Sequence, residues 1–140
     1  MLFRSTKRPM IMSLWVCWVI YGPTLFATKL DYLCQLTQAF YHHIEVEPDF
    51  VAVHQPQANI FCFRYIPSWL AADQVAGLQL YLWDQIRKTG QFFISKVDVD
   101  GQTALRVVMM NHEITLDHCQ QLLAHIQQTA PLFLADIRIA

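Results

Sequence analysis

The chain has 140 residues, enough for one domain with its own core, since domains run to roughly 100–200 residues. Hydrophobic residues make up 54%, aromatics 13% and charged residues only 15%, where about 25% charged is ordinary for a soluble domain. The net charge of −1 removes any electrostatic case for binding nucleic acid. The oily composition means that the chain either spans a membrane or sets much of its apolar surface against something outside itself.

At the N-terminus Arg4, Lys7 and Arg8 precede MIMSLWVCWVIYG, the outline of a signal peptide or signal anchor. The apolar run from Pro9 to Ala27 approaches the ~20 residues that span a bilayer, but Gly22-Pro23 interrupts it. The other reading is a buried helix that ends at Gly22 and is followed by a second helix. Pro9 fits the first turn of such a helix, where its missing N–H does no harm.

From Thr24 to Ile44, Phe26, Leu30, Leu33, Leu36/Thr37, Phe40 and Ile44 recur at steps of three and four, with Lys29, Asp31, Gln35 and Gln38 on the other side. This spacing predicts an amphipathic helix. His42-His43 near its end diverge around the helix and cannot readily chelate one ion; their expected role is to complement the helix C-terminus. Pro48 opens a boundary. Phe50 to His54 reads as a short strand, Pro56 to Asn59 as a turn and Ile60 to Tyr65 as a second strand, in which Phe61, Phe63 and Tyr65 alternate with Ile60, Cys62 and Arg64. A helix is expected from about Ala71 to Lys88, with Val75, Leu78, Leu82 and Ile86 on one face and Gly90 just past its end.

Gln91 to Asn111 is the stretch around which the rest is organised. Two runs rich in β-branched and aromatic residues flank Asp100-Gly101, a dipeptide suited to a type I′ turn. A two-residue turn there puts Val97 and Val99 on one face with Ala104, Arg106 and Val108. Arg106 then stands in an apolar row, and a guanidinium cannot shed its charge, so it needs an anion. Thr115 suits the N-cap of a last helix whose inner stripe is Cys119, Leu122, Leu123 and Ile126, with Pro131 just past its end. Nothing in the final LFLADIRIA fixes a structure. The order α-α-β-β-α-β-β-α predicts an α+β fold, a small and largely antiparallel sheet with helices on one face, preceded by two N-terminal helices.

Cys17, Cys34, Cys62 and Cys119 form no CxxC pair, and with ample apolar material for a core they are expected as free thiols, which suits a cytoplasmic protein. The sequence holds no GxSxG, no HExxH and no phosphate-cradling glycine loop. His118 and His125 lie two turns apart, roughly 10 Å, too far to share an ion. Asp98, Asp100 and Glu113 lack the spacing of a calcium loop. No metal site is expected, and as an isolated catalyst the chain looks empty.

STKRPMIMSLW at Ser5–Trp15, Gly22, EPDF at Glu47–Phe50, NIFCFRY at Asn59–Tyr65 and GQTALRVVMMN running into HEIT occur in the collinear order of one family. From about Arg4 to Thr129 the chain resembles the C-terminal part of the pyridoxal-phosphate-dependent group II amino-acid decarboxylases, which include aromatic amino-acid, glutamate, cysteine-sulfinate and diaminobutyrate decarboxylases. The resemblance implies the small C-terminal domain of a fold-type I enzyme. Residues 1–45 would be interdomain helices, 46–130 the small domain and 131–140 a tail. It implies an enzyme that works as a homodimer, with pyridoxal phosphate as cofactor and an amino acid as substrate. The partner would be a cofactor-binding large domain or a full-length decarboxylase subunit.

The family's cofactor lysine follows a histidine, and none of Lys7, Lys29, Lys88 and Lys96 does. On this comparison the Schiff-base lysine and the aspartate that holds the pyridine nitrogen are expected to lie outside this chain, which would be inactive alone. The oily N-terminal helix becomes an interdomain helix, and a membrane anchor the lesser reading. Two positions depart from the family: Ser13, where relatives carry a basic residue, and Asn111-His112, where they carry Asn-Pro. By resemblance to glutamate decarboxylase-like members Arg106 is a ligand for the substrate carboxylate; the other reading pairs it with a local acidic residue or a backbone carbonyl. Arg64 is expected to be structural. The alternative to a decarboxylase segment is a stand-alone, non-catalytic α+β module that binds a ligand or dimerises.

Overall fold

A computed structural model describes residues 10–137. Arg4, Lys7, Arg8 and Pro9, on which the signal-peptide outline rests, lie outside the described residues. The first helix, α1 (Met10–Val46), is broken at Gly22, whose φ of 71° and ψ of 178° are not helical and suit only a residue without a Cβ. Pro23 follows and starts the second arm, so the two expected N-terminal helices are present as two arms of α1.

Beyond α1 come strand β1 (Phe50–Ala52), strand β2 (Ile60–Tyr65), a 3-10 turn at Ala72–Gln74, helix α2 (Val75–Thr89), strands β3 (Ser95–Val99) and β4 (Gln102–Val108), and helices α3 (Leu116–Thr129) and α4 (Leu132–Ile137). The strands form one antiparallel sheet in the order β1-β2-β4-β3. This is the small antiparallel sheet with helices expected from the sequence. β1 stops at Ala52, two residues short of the expectation, and residues 91–94 precede β3 without joining the ladder.

Asp100 and Gly101 both take positive φ, 55° and 74°, as a type I′ turn requires. The register follows: Ser95 lies opposite Arg106, Val97 opposite Ala104 and Val99 opposite Gln102. Period-two alternation then sorts the whole sheet. Phe61 pairs with Val107 and Phe63 with Leu105, and these four are buried in the helix-covered core. Cys62 pairs with Arg106 and Ile60 with Val108, placing these residues on the opposite, open side.

The core joins Leu33, Leu36, Phe40 and Ile44 of α1, Leu78, Leu82 and Ile86 of α2, and Cys119, Leu122, Leu123 and Ile126 of α3 to that face of the sheet. Phe40 meets Phe61 and Phe63 edge-on, each at 5.7 Å between ring centroids. The predicted stripe of α1 needs correcting at its start: Leu30 is 57% exposed and Phe26, stacked only on Trp18 of the first arm, half-exposed, because among the described residues no other element lies against α1 there. Upstream of Gly22, Ile11, Leu14, Trp15, Trp18, Val19 and Ile20 are all exposed. By length and composition α1 could cross a membrane, although its segment from Leu33 to Ile44 lies in the core.

One buried polar residue closes an end of the sheet. Gln79 is fully buried on α2; its Oε1 accepts the Tyr65 N–H at 3.1 Å and its Nε2 donates to the Tyr65 carbonyl at 2.7 Å. It takes the place of a strand partner where the β2–β4 pairing has ended at Phe63. Gly90 caps α2 in the left-handed conformation, as its position suggested. Within the tail, residues 132–137 form a helix that the sequence did not indicate. α4 buries Phe133 against Gly77 and Tyr81, and the Tyr81 hydroxyl donates to Asp136 at 2.9 Å.

Candidate functional site

Arg106 is held at the centre of the sheet's open side. Its strand neighbours on that side are Cys62 of β2 and Ser95 of β3. Its Nε donates to the Ser95 hydroxyl at 2.9 Å, and among the described residues no carboxylate pairs with it. The row of Val97, Val99, Ala104, Arg106 and Val108 exists as the turn predicted, but it lies on the uncovered side; only Ala104 is buried, the others being half-buried. A guanidinium with water beside it tolerates the lack of a partner, which it could not do in the core.

Arg64 shares this side and is differently committed. Its Nε donates to the Thr103 carbonyl at 3.1 Å, and one Nη donates to the carbonyls of Val99 and Gln102, each at 3.2 Å. It thus ties β2 to the β3–β4 turn, the structural role expected of it. Between the two arginines burial pushes the Cys62 thiol above its ordinary pKa, partly offset by the Arg106 and Arg64 charges.

Away from Arg106, a concavity of about 450 Å³ opens between residues 91–94, the 109–114 segment and α3. Phe92, Met109, Cys119 and Leu122 line it, and Phe93 at its rim is 88% exposed. Arg106 does not reach it. No sequence period marks this hollow, because Phe92-Phe93 and Met109-Met110 sit in loops; the doublets of large apolar residues just outside two strands are its one sequence signal.

The histidines fall into structural places. His42 lies 3.1 Å from Glu45 and His43 3.4 Å from Glu47 at the end of α1. His118 Nδ1 accepts the Thr115 amide N–H at 3.1 Å, completing a capping box at the start of α3. His125 Nε2 is buried without a hydrogen-bond partner among the described residues, its ring 6.0 Å from Phe92. Among the described residues no three His, Cys, Asp or Glu side chains gather as a metal site. All four cysteines are free. At Asn111-His112 the Asn111 side chain accepts the Glu113 N–H at 3.0 Å, forming a turn that leads into α3.

No family profile matches the chain. Among curated proteins it is 23% identical over 126 residues to an aromatic-L-amino-acid decarboxylase of Bacillus atrophaeus, covering 89% of this chain and 26% of that one. It is 21% identical over 123 residues to an L-2,4-diaminobutyrate decarboxylase of Acinetobacter baumannii, covering 88% and 24%. Its fold superposes, with a TM-score of 0.80 and 22% identity, on the glutamate decarboxylase domain of the Vibrio parahaemolyticus diaminobutyrate-pyruvate transaminase and L-2,4-diaminobutyrate decarboxylase; 92% of this chain and 27% of that one are covered. Its neighbours in sequence and in fold are group II pyridoxal-phosphate-dependent amino-acid decarboxylases. The architecture matches the small C-terminal domain of these decarboxylases. The chain spans about a quarter of the length of the relatives it matches.

Lys88 and Lys96 are both committed to α2, away from Arg106. Lys96 projects to the helix side, 4.5 Å over the Trp83 ring, and Lys88 pairs with Asp84 along α2. On the open side near Arg106 the neighbours are a thiol and a hydroxyl, with neither a lysine for a Schiff base nor an acid for a pyridine nitrogen among the strand partners.

Proposed function

We propose that this chain is the C-terminal segment of a pyridoxal-phosphate-dependent amino-acid decarboxylase, a carboxy-lyase, and contributes the wall of an active site completed by a cofactor-bearing large domain. Alone it is inactive; joined to that domain it forms a cytoplasmic homodimer acting on an amino acid. Arg106 carries the reading: a planar, permanently charged donor on an open sheet face, without a carboxylate partner among the described residues, in a fold shared with decarboxylases. Its role is to hold the substrate carboxylate, the task for which a forked guanidinium is better suited than an ammonium. A carboxylate fixed there would be oriented by Arg106 for loss of CO₂, and a cofactor held by the large domain would supply the electron-sink chemistry.

The exposed first arm of α1 supports this reading over a stand-alone module. A helix apolar on all sides has to be surrounded, and nothing in the described chain surrounds it. An interdomain position supplies that cover.

The test is to replace the matching C-terminal segment of the Vibrio parahaemolyticus decarboxylase with this chain and measure CO₂ release from L-2,4-diaminobutyrate, glutamate and aromatic amino acids. Activity above that of the large domain alone, lost on Arg106→Ala, is the expected result. A folded, cofactor-loaded fusion that releases no CO₂ from any of them overturns the reading. The isolated chain mixed with pyridoxal phosphate should show no Schiff-base absorbance.

A further inference from the structure

Ser95 and Arg106 face each other across the β3–β4 ladder, and their side chains complete a closed loop. The serine Oγ accepts the Arg106 Nε–H at 2.9 Å and donates its own proton to the Arg106 carbonyl at 3.3 Å. A hydroxyl has one proton to give; with that proton on the carbonyl, a lone pair is turned toward Nε. Both contacts run back to the same residue, so the serine fixes Arg106's side chain relative to its own backbone.

A guanidinium can meet a carboxylate with two parallel hydrogen bonds along either of two edges: Nε with one Nη, or the two Nη together. Ser95 occupies Nε and closes the first edge. Among the described residues neither Nη of Arg106 has a hydrogen-bond partner, so the second edge is open. Arg64 shows the contrast on the same side of the sheet, with Nε and one Nη already engaged by carbonyls.

We propose that Ser95 is a positioning residue that restricts Arg106 to gripping a carboxylate ligand end-on, through its two Nη groups. The assignment of the ligand as a substrate carboxylate rests on the reading given under Proposed function; the Ser95 clamp itself does not. Losing the hydroxyl frees Nε, lets the long side chain swing among rotamers and admits the ligand in more than one orientation. The cost falls on binding and alignment, not on folding, because Ser95 lies on a half-exposed edge strand.

Two measurements test this. In the full 140-residue chain, the Nε–H of Arg106 should exchange with water at least about tenfold more slowly than that of exposed Arg87, as a single net hydrogen bond provides. Ser95→Ala should abolish the difference and Ser95→Thr should keep it, with Arg64 protected throughout as an internal reference. An Arg106 Nε–H that exchanges as fast as Arg87, or is indifferent to Ser95→Ala, overturns the proposal. In the decarboxylase fusion, Ser95→Ala should raise KM severalfold with Tm unchanged, and Ser95→Thr should restore it. An unchanged KM in an active fusion overturns the positioning role. If the exchange pattern holds and the unsubstituted fusion is inactive, the decarboxylase reading falls and the Ser95 clamp stands.

Discussion

The two faces of the sheet use the same strands for different ends. On the covered face Phe61, Phe63, Leu105 and Val107 meet Phe40, Leu82 and Leu122 from three helices, and every one of these is buried. On the open face Val51 and Ile60 are exposed, Val108 is half-exposed, and two arginines stand among them. A residue on the covered face is constrained by neighbours on all sides. One on the open face is constrained mainly by its own strand partners, so chemistry can be placed there without disturbing the fold.

The largest expected effect tests the covered face. Phe40→Ala should cost about 3–5 kcal/mol in denaturant unfolding, since it removes a fully buried ring that meets two others. A loss below about 0.5 kcal/mol, the size of an ordinary surface substitution, would erase the distinction between the faces. Gln79→Leu keeps the volume but strands the Tyr65 N–H and carbonyl, and should cost about 2–3 kcal/mol by the same measurement.

The third effect depends on pH. Burial in the core pushes the Cys119 thiol up to about 11 from its ordinary 9. The unfolded thiol ionises first, so the fold's advantage is complete below pH 9 and declines as pH rises toward 11. The decline should be on the order of 2 kcal/mol, and Cys119→Val should flatten it. Stability curves at pH 8 and pH 10.5 would show this, and equal slopes for both proteins would refute it.

The smallest effects sharpen the comparison within the open face. Arg64→Ala should cost about 1–2 kcal/mol, because three backbone carbonyls lose a donor. Arg106→Ala should stay within about 0.5 kcal/mol in stability. In the decarboxylase fusion the order should reverse, with Arg106→Ala far more damaging to CO₂ release than to folding. If the two arginines behave alike in both assays, the open face is structural throughout.

Much of this arrangement was legible in the sequence because it rests on local rules. Asp100-Gly101 set a two-residue turn, and the turn set the register that places Arg106 among valines. The same register puts Ser95 opposite Arg106, but a hydroxyl's partner depends on side-chain rotamers, which no sequence pattern specifies. The stripe of α1 was legible as a period, while its burial was not: Leu30 has the spacing of a core residue and lacks anything to pack against. α4 escaped for the opposite reason. LFLADI carries no cap or period long enough to read, and its order comes from a tertiary contact, Phe133 settling beside Gly77 where a larger residue would intrude. The hollow beside Phe92 and Met109 likewise arises from loops meeting a helix.

Gly22 has a practical consequence. No described residue before it belongs to the core, and α1 enters the core only with its second arm. A shortened protein beginning at Pro23 would therefore keep every buried side chain of the described fold. It would shed the exposed apolar side chains of the first arm, Ile11, Leu14, Trp15, Trp18, Val19 and Ile20 among them. Such a trimmed version offers a starting point for crystallisation, and for asking what the small domain can bind when its oily handle is gone.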